Sequence, residues 1–212
     1  MDILIFDLDN TLYPPERELF SLIDVRINRY MTEVVGIPAR QVDALRRDYW
    51  KRYGVTLQGL IRHHGVDPEH YLDYVHDVDV CQRLDPDPQL REALLALPQR
   101  KTVFTNGSIC HAGRVLAALG IADLFETVYD IRVAGYLPKP FTEPYRAVLD
   151  ALGVEAARCV MIEDLRDNLR TAKQLGMQTV LVGAGETPSY VDLHLDDVRQ
   201  IHPQLRRLGA WG

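Results

Sequence analysis

The chain has 212 residues, which is enough for one domain with an insertion but short for two independent domains. Its composition is that of a globular protein, with 47% hydrophobic and 25% charged residues. A net charge of −6 argues against a nucleic-acid polymer as partner, because such binders concentrate basic charge on one surface. The three cysteines are widely spaced and fit neither a disulfide framework nor a zinc site.

The first predicted element is a short apolar run from Ile3 to Phe6, which acidic residues follow directly. The run is too short for a signal peptide or a membrane span, so we expect no membrane partner and a cytoplasmic location. We expect a monomer or a homodimer. A short apolar run that ends in polar residues is typical of a buried parallel strand.

Further strands and helices alternate after residue 86. Apolar runs predict strands over 101–105, 127–131, 159–162, 179–182 and 193–195. Asp87-Pro88 is typical of the start of a helix and predicts one over 88–97. Amphipathic segments that end before a glycine predict helices over 112–119, 143–152 and 168–175. This alternation predicts an α/β fold: a Rossmann-like parallel sheet with helices on both faces.

The stretch from Pro14 to Pro86 interrupts this alternation, because it contains no convincing strand. Apolar residues keep helical spacing over 19–34, 42–53 and 57–64, and Asp67-Pro68 is typical of the start of a fourth helix. We therefore predict a helical cap domain of residues 14–86, inserted into a core domain of residues 1–13 and 87–212.

Polar side chains follow several predicted strands of the core. They are Asp7 and Asp9 after the first strand, Thr105, Asn106 and Gly107 after the second, Lys139 in the loop after the third, and Glu163 and Asp164 after the fourth. Ligands of open α/β sheets bind outside the carboxyl ends of the strands. We therefore expect these residues to share one site.

The residue types at this predicted site suit a phosphate ester. Carboxylates that lie close together repel one another unless a cation or a proton intervenes, and a few hard oxygen ligands suit Mg²⁺. The hydroxyl of Thr105 and the backbone amides of Asn106 and Gly107 can donate to phosphate oxygens. Lys139 can neutralise charge on the phosphate and on a carboxylate nucleophile. The sequence thus predicts a Mg²⁺-dependent site for a small phosphomonoester.

These motifs resemble those of a known family. Phe6-Asp7-Leu8-Asp9-Asn10-Thr11-Leu12-Tyr13 is similar to the first signature of the haloacid dehalogenase (HAD) superfamily. Thr105, Lys139 and Glu163-Asp164 match its second, third and fourth motifs in order. A helical insertion just after the first motif resembles the C1 cap of subfamily IA. The resemblance covers essentially the whole chain.

The resemblance implies a role for each motif residue. Asp7 corresponds to the nucleophile that forms an aspartyl-phosphate, and Asp9 corresponds to the general acid and base. Asp7, the backbone carbonyl of Asp9 and Asp164 correspond to Mg²⁺ ligands, with Glu163 acting through water or as a support. Asn168 corresponds to a polar residue that orients this loop. Halide-removing relatives lack an acid at the position of Asp9, which favours phosphoryl chemistry here.

Within the superfamily, residues 7–14, 53–60, 105–107 and 163–169 resemble pyrimidine 5′-nucleotidases. This resemblance implies a nucleoside 5′-monophosphate such as UMP or CMP as substrate. Tyrosine can stack on a base and arginine can bond a base carbonyl, so five cap residues are candidate substrate contacts. They are Tyr49, Tyr53, Arg62, His63 and His64.

Alternatives remain open at this point. The substrate can be another small ester, such as phosphoglycolate or a sugar phosphate, and a phosphomutase would return an isomer instead of free phosphate. A non-catalytic phosphate-binding module on the same fold would be expected to lack Asp7 or Asp9. The cap tyrosines and histidines also fit a packing role. His111 follows the second motif closely and can lie near the mouth of the site, but a solvated position of its helix is the main expectation.

Overall fold

The computed structural model describes residues 2–205, and its centre is one parallel sheet. The strands are β1 (Ile3–Phe6), β2 (Arg100–Phe104), β3 (Thr127–Tyr129), β4 (Cys159–Glu163), β5 (Gln178–Val182) and β6 (Leu193–Leu195). They are ordered β3-β2-β1-β4-β5-β6, and each neighbouring pair is parallel. The strand order reverses at β1, which therefore ends at the crevice where such sheets bind ligands.

Helices connect the strands and form the insertion. They are α1 (Leu19–Arg29), α2 (Ala39–Tyr53), α3 (Thr56–His64), α4 (Pro68–His76), α5 (Pro88–Leu95), α6 (Ile109–Ala118), α7 (Thr142–Leu152), α8 (Arg166–Gln174) and α9 (Ile201–Leu205). A π-helical turn over Tyr30–Val34 continues α1. No helix within residues 2–205 has both the length and the apolar character that crossing a membrane requires.

The sheet is buried on both faces. Leu4 and Phe6 of β1 pack into a cluster with residues of α5, α6 and α9, whereas Ile3 and Ile5 pack on the other face with residues of α7 and α8. Successive side chains of a strand point to opposite faces, so a strand covered on both sides is apolar throughout. The predicted fold class, a Rossmann-like parallel sheet with helices on both faces, is confirmed.

Helices α1 to α4 build a separate hydrophobic cluster of their own. Its buried members include Ile23, Tyr30, Leu60 and Tyr71, and almost all of its described members lie within residues 14–86. We therefore propose that residues 14–86 form a cap domain on a core made of residues 1–13 and 87–212. Met1 and residues 206–212 lie outside the part of the chain that the structure describes.

Polar side chains set several element boundaries. Asp87 accepts a hydrogen bond from the Leu90 amide, which confirms the predicted N-cap of α5. Helix α6 begins earlier than predicted because the hydroxyl of Ser108 caps it, accepting from the amide of His111 at 3.3 Å. Strand β3 ends earlier than predicted because Asp130 instead caps a short 3₁₀ turn that follows it.

Candidate active site

The turn after β1 places Asp7 at the carboxyl end of the sheet. The amide of Asp7 continues the strand pairing by donating to Ile162 O at 2.8 Å. Asn10 then adopts a φ of +63°, a left-handed conformation that asparagine tolerates better than most residues. The turn brings the Thr11 hydroxyl to 3.3 Å from an oxygen of Asp7 and to 3.3 Å from an oxygen of Asp164. The first and fourth strand ends therefore meet at this turn.

Lys139 is a buried ammonium group with three acceptors. Its Nζ lies 2.6 Å from Asp7 Oδ1, 2.8 Å from Glu163 Oε2 and 2.7 Å from Phe104 O. These three bonds use all three of its donors. Burial alone would lower the pKa of Lys139, but the carboxylates of Asp7 and Glu163 raise it above its ordinary value. Lys139 therefore stays charged beside the candidate nucleophile.

The segment after β2 holds the lysine loop. The side chain of Asn106 accepts from the amide of Lys139 at 2.8 Å and donates to its carbonyl at 3.1 Å. The amide of Gly107 donates to the hydroxyl oxygen of Thr105 at 2.9 Å, so this amide is already engaged. That hydroxyl acts as an acceptor there and keeps its own proton for another acceptor, such as a phosphate oxygen.

Helix α2 of the insertion touches the same lysine loop at its last turn. Gly54 ends α2 with a φ of +80°. A Cβ on Gly54 would lie 3.0 Å from a ring carbon of Pro138 and 3.2 Å from the Lys139 carbonyl oxygen. Both the backbone conformation and this close approach therefore require glycine.

Glu163 has no exposed surface and both of its oxygens are occupied. Oε2 accepts from Lys139 and, at 2.9 Å, from the side-chain amide of Asn168. Oε1 accepts from the backbone amides of Asp164 and Leu165. These bonds leave Glu163 poorly placed for direct metal binding, and they fit the supporting role expected for it. They also fit an orienting role for Asn168.

Three acidic side chains come together in a geometry that suits a cation. Asp7, Glu163 and Asp164 each present an oxygen, and these oxygens lie within 4.8 Å of one another. Burial, and to a smaller extent repulsion from Glu163, raises the pKa values of Asp7 and Asp164 well above the ordinary carboxyl range. Lys139 compensates only part of this negative charge. A hard divalent cation such as Mg²⁺ fits the remaining charge and the oxygen donors.

Asp9 is held by two donors that bind the same oxygen. The hydroxyl of Tyr13 lies 2.6 Å from Asp9 Oδ1, and Nε2 of His111 lies 2.9 Å from it. Burial alone would raise the pKa of Asp9, but His111 and then Tyr13 hold it below its ordinary value. The expectation that His111 is solvated is wrong, because its side chain is fully buried. Its position one helical turn before Val115, on the buried face of α6, was the available sequence signal.

The candidate residues of the core line one cavity of about 900 Å³ between the strand ends and the insertion. The structure thus brings together all nine core positions predicted from the sequence, which we call the floor. They are Asp7, Asp9, Thr105, Asn106, Gly107, Lys139, Glu163, Asp164 and Asn168.

The insertion forms the opposite side of the cavity, which we call the roof. Its apolar residues, none of which the sequence reasoning singled out as substrate contacts, are Phe20, Ile23, Ile27, Trp50, Val55, Leu57, Tyr71, Leu72 and Val75. Its basic residues are Arg46, Lys51 and Arg52, and His76 also belongs to it. The roof is therefore mostly apolar with cations on part of its surface.

The five predicted cap contacts do not line this cavity, which corrects that expectation. They lie where α2 packs on α3 and bond to one another or to their neighbours. Tyr49 bonds His64 and Tyr53 bonds His63, each at 2.9 Å, and the Arg62 guanidinium lies over the Tyr53 ring at 4.9 Å. Gly59 permits this packing, because a Cβ there would lie 2.1 Å from the Tyr49 ring.

The fold and this cavity define the class of the protein: an α/β protein that binds its ligand at the carboxyl ends of parallel strands, beneath a helical insertion. The chain belongs to the haloacid dehalogenase-like hydrolase family, whose model matches residues 1–176. The matched span contains every residue of the floor.

Two relatives of known name are similar over most of the chain. The phosphoglycolate phosphatase of Rhodospirillum rubrum is 37% identical over 201 residues, which cover 86% of this chain and 79% of that protein. Phosphate metabolism protein 8 of Saccharomyces cerevisiae is 28% identical over 194 residues, which cover 84% of this chain and 60% of that protein. The chain thus spans less than two thirds of the yeast protein's length.

Among solved structures, the HAD phosphatase of Thermococcus onnurineus aligns with a TM-score of 0.67. The alignment covers 99% of both chains at 17% identity. At this level of identity the likeness shows a shared fold and carries no information on substrate.

Proposed function

We propose that this chain is a Mg²⁺-dependent phosphatase that hydrolyses a small phosphomonoester through an aspartyl-phosphate on Asp7. One observation carries the proposal: nine residues from four strand ends and their loops line a single cavity, with Lys139 bonded to both Asp7 and Glu163. A buried ammonium beside a carboxylate offsets the repulsion that a phosphate dianion would meet there.

In the proposed first step, a carboxylate oxygen of Asp7 attacks phosphorus and the bond to the ester oxygen breaks. The ester oxygen leaves with the electron pair and takes a proton from Asp9. In the second step, Asp9 takes a proton from water, the water oxygen attacks phosphorus, and the bond to Asp7 breaks. Free phosphate leaves and Asp7 is regenerated. The hydroxyl of Thr105 donates to a phosphoryl oxygen, and the ammonium of Lys139, whose donors are taken by Asp7, Glu163 and Phe104 O, offsets the charge of the phosphoryl group.

The proposed metal site consists of Asp7, Asp164 and the backbone carbonyl of Asp9, with Glu163 acting through water. A bound Mg²⁺ would supply positive charge that offsets the charge of the phosphoryl group. The raised pKa values of Asp7 and Asp164 support this assignment. Burial and repulsion from Glu163 destabilise their charged forms, and a bound cation would stabilise them.

We propose a pyrimidine nucleoside 5′-monophosphate as the substrate. A cavity of about 900 Å³ lies within the usual range for ligand sites and has room for a nucleoside beyond the phosphate. Aromatic residues of the roof, Phe20, Trp50 and Tyr71, offer faces on which a base can stack. These residues take the place of the tyrosines that the sequence suggested. A cytoplasmic location and a monomeric or homodimeric state stay predictions.

A second candidate substrate is phosphoglycolate. The relative from Rhodospirillum rubrum carries that activity in its name, and Lys51 and Arg52 of the roof offer cations for the carboxylate of phosphoglycolate. Sugar phosphates are a further class of candidate substrate, to be compared in the same assay. A phosphomutase on the same fold differs in its product, since it would return an isomeric ester.

The experiment is to measure phosphate release by the purified protein with Mg²⁺ and with EDTA. The panel consists of UMP, CMP, AMP, phosphoglycolate, a hexose phosphate and p-nitrophenyl phosphate. We expect Mg²⁺-dependent release, with the highest kcat/KM for UMP or CMP. Preference for phosphoglycolate would support the second candidate instead. An isomeric ester without free phosphate would indicate a mutase, and no turnover of any ester would contradict the proposed function.

A further inference from the structure

His111 is placed to control the candidate general acid, although the family resemblance assigned it no role. It belongs to α6, its side chain is fully buried, and its Nε2 lies 2.9 Å from Asp9 Oδ1. The carboxylate form of Asp9 only accepts hydrogen bonds, so Nε2 carries the hydrogen of this contact. The other ring nitrogen, Nδ1, is buried and has no hydrogen-bond partner among the described residues. The Asp9 contact is therefore the polar contact that orients this ring.

Tyr13 donates to the same oxygen at 2.6 Å. Among the described residues, no group donates a hydrogen bond to the other oxygen, Oδ2. Two donors on Oδ1 favour the negative charge there, so the proton of the acid form belongs on Oδ2. Asp9 also lines the cavity where the leaving group would lie. The pair of donors thus selects which oxygen exchanges a proton.

The insertion contributes to this arrangement through His76 at the end of α4. The rings of His76 and His111 stack with centroids 4.7 Å apart and planes 19° apart. Nδ1 of His76 lies 3.0 Å from Leu72 O, and burial lowers the pKa of His76 to about 3, so its ring is neutral. A neutral ring stacks on His111 without adding charge beside Asp9.

Gly107 lies against the edges of both histidine rings. A Cβ on Gly107 would lie 3.5 Å from His111 Cδ2 and 3.5 Å from His76 Nε2. Arg114 of α6 also donates to the backbone carbonyl of His76, which ties the end of α4 to α6. The ring of His111 is therefore held between the core and the insertion.

We infer that His111 is a positioning residue that fixes Oδ1 of Asp9, together with Tyr13, so that Oδ2 exchanges the proton with the leaving group. The inference rests on the proposed function, because it assumes that Asp9 is the general acid. His76 seats the His111 ring from the insertion side. A purely structural role for His111 would need only the shape of the ring and no donor at Nε2.

The test compares His111→Gln with His111→Met. Both side chains are of similar length and volume, but only glutamine keeps a donor near the position of Nε2. The substrates are 2-phenylethyl phosphate, whose alkoxide needs a proton to leave, and p-nitrophenyl phosphate, whose phenolate leaves readily without one. Thermal melting and circular dichroism of both variants report whether they fold.

We expect His111→Met to lower kcat for the alkyl ester by about 10²-fold and for the aryl ester by less than about fivefold, as loss of general-acid catalysis predicts. His111→Gln should recover at least about tenfold of the loss on the alkyl ester. Asp9→Asn should show the same dependence on leaving group. Equal losses on both esters, or no difference between the glutamine and methionine variants, would overturn the inference. The proposed function fails only if the wild-type protein releases phosphate neither from these two esters nor from any ester of the panel above, whereas losses that ignore the leaving group in an active protein overturn the inference alone.

A second measurement does not depend on turnover. Nitrogen-15 NMR of histidine-labelled protein should show a His111 hydrogen on Nε2, and Asp9→Asn should shift this signal while that of His194 stays unchanged as a reference. His194 suits this purpose because it bonds Thr187 and Gly183 and shares no hydrogen bond with Asp9 or His111. A His111 hydrogen on Nδ1 alone would contradict the contact on which the inference rests.

Discussion

The floor and the roof of the cavity differ in how their side chains are held. On the floor, Lys139, Glu163 and Asn168 are almost completely buried, and each hydrogen-bonds to other residues of the floor. On the roof, Phe20 and Trp50 are 41% and 57% exposed, and the wall is mostly apolar. A fixed polar network suits chemistry, whereas an open apolar wall suits selection among leaving groups. From this difference we propose that reaction and selectivity are divided between the two regions.

The largest effect should come from the floor. Asp7→Asn removes the proposed nucleophile while keeping the shape of the side chain, so kcat should fall by about 10⁴-fold or more. Phosphate release with Mg²⁺ measures the loss, and circular dichroism checks that the fold is intact. Turnover near the wild-type rate in a folded Asp7→Asn protein would break the assignment of the chemistry to the floor.

The next effect is on stability. Lys139→Met leaves Asp7 and Glu163 buried without their shared cation, and removing one partner of a buried pair costs about 3–5 kcal/mol of unfolding free energy. Urea unfolding measures this quantity. The control is Lys173→Met, which breaks an exposed pair with Asp192 at 2.6 Å and should cost no more than about 1 kcal/mol. Similar losses in both variants would show that the buried charge pairs of the floor contribute no more to stability than an exposed pair.

A third effect links the metal to pH. In the metal-free protein, the pKa values of Asp7 and Asp164 lie above the ordinary carboxyl value of 3.8. The folded state therefore keeps protons that the unfolded state has released, and stability falls as pH rises from about 4 through neutrality. Mg²⁺ competes with these protons, so its increase of the melting temperature should be larger at pH 8 than at pH 5.5.

Differential scanning fluorimetry with Mg²⁺ and with EDTA at both pH values measures this linkage. Asp164→Asn provides the control, because it removes one proposed ligand and should shrink the Mg²⁺ effect at pH 8. A Mg²⁺ effect that is equal at the two pH values would argue against binding at these carboxylates.

The smallest effect should come from the roof and should depend on substrate. Trp50→Ala removes an exposed aromatic face and should raise KM for UMP by about three- to tenfold, which corresponds to an aromatic stacking contact of roughly 0.5–1.5 kcal/mol. The KM for phosphoglycolate should change less than twofold. Tyr53→Phe is the control, because Tyr53 bonds His63 away from the cavity and should leave both KM values unchanged. Equal effects of Trp50→Ala on both substrates would remove the distinction between floor and roof.

The floor could be predicted from the sequence because strand ends of a parallel sheet converge whatever the details of packing. Asp7 and Thr105 directly follow buried strands and Glu163 is the last residue of β4, so the fold alone brings them together. Lys139 lies in a loop, so hydrophobic periodicity alone does not predict its position. It was predicted from the order of the family motifs.

The roof could not be predicted in the same way, because a helical pattern does not state which apolar face meets which neighbour. Tyr49 and Trp50 are adjacent on α2, yet Tyr49 packs on Gly59 and Trp50 faces the cavity. Adjacent helical residues point about 100° apart, so this outcome depends on how α3 docks. The burial of His111 was missed because the predicted helix began at residue 112, whereas the cap at Ser108 places His111 inside α6, one turn before the buried Val115.

Gly54 has a consequence for anyone who exchanges insertions between members of this family. At this residue the last turn of α2 touches the loop that carries Lys139, with no room for a side chain. A chimera that brings a bulkier residue to this junction would displace the lysine loop, and would thereby impair turnover of every substrate instead of altering selectivity. A transplanted insertion should therefore retain glycine at this junction, even when every residue of the roof is replaced.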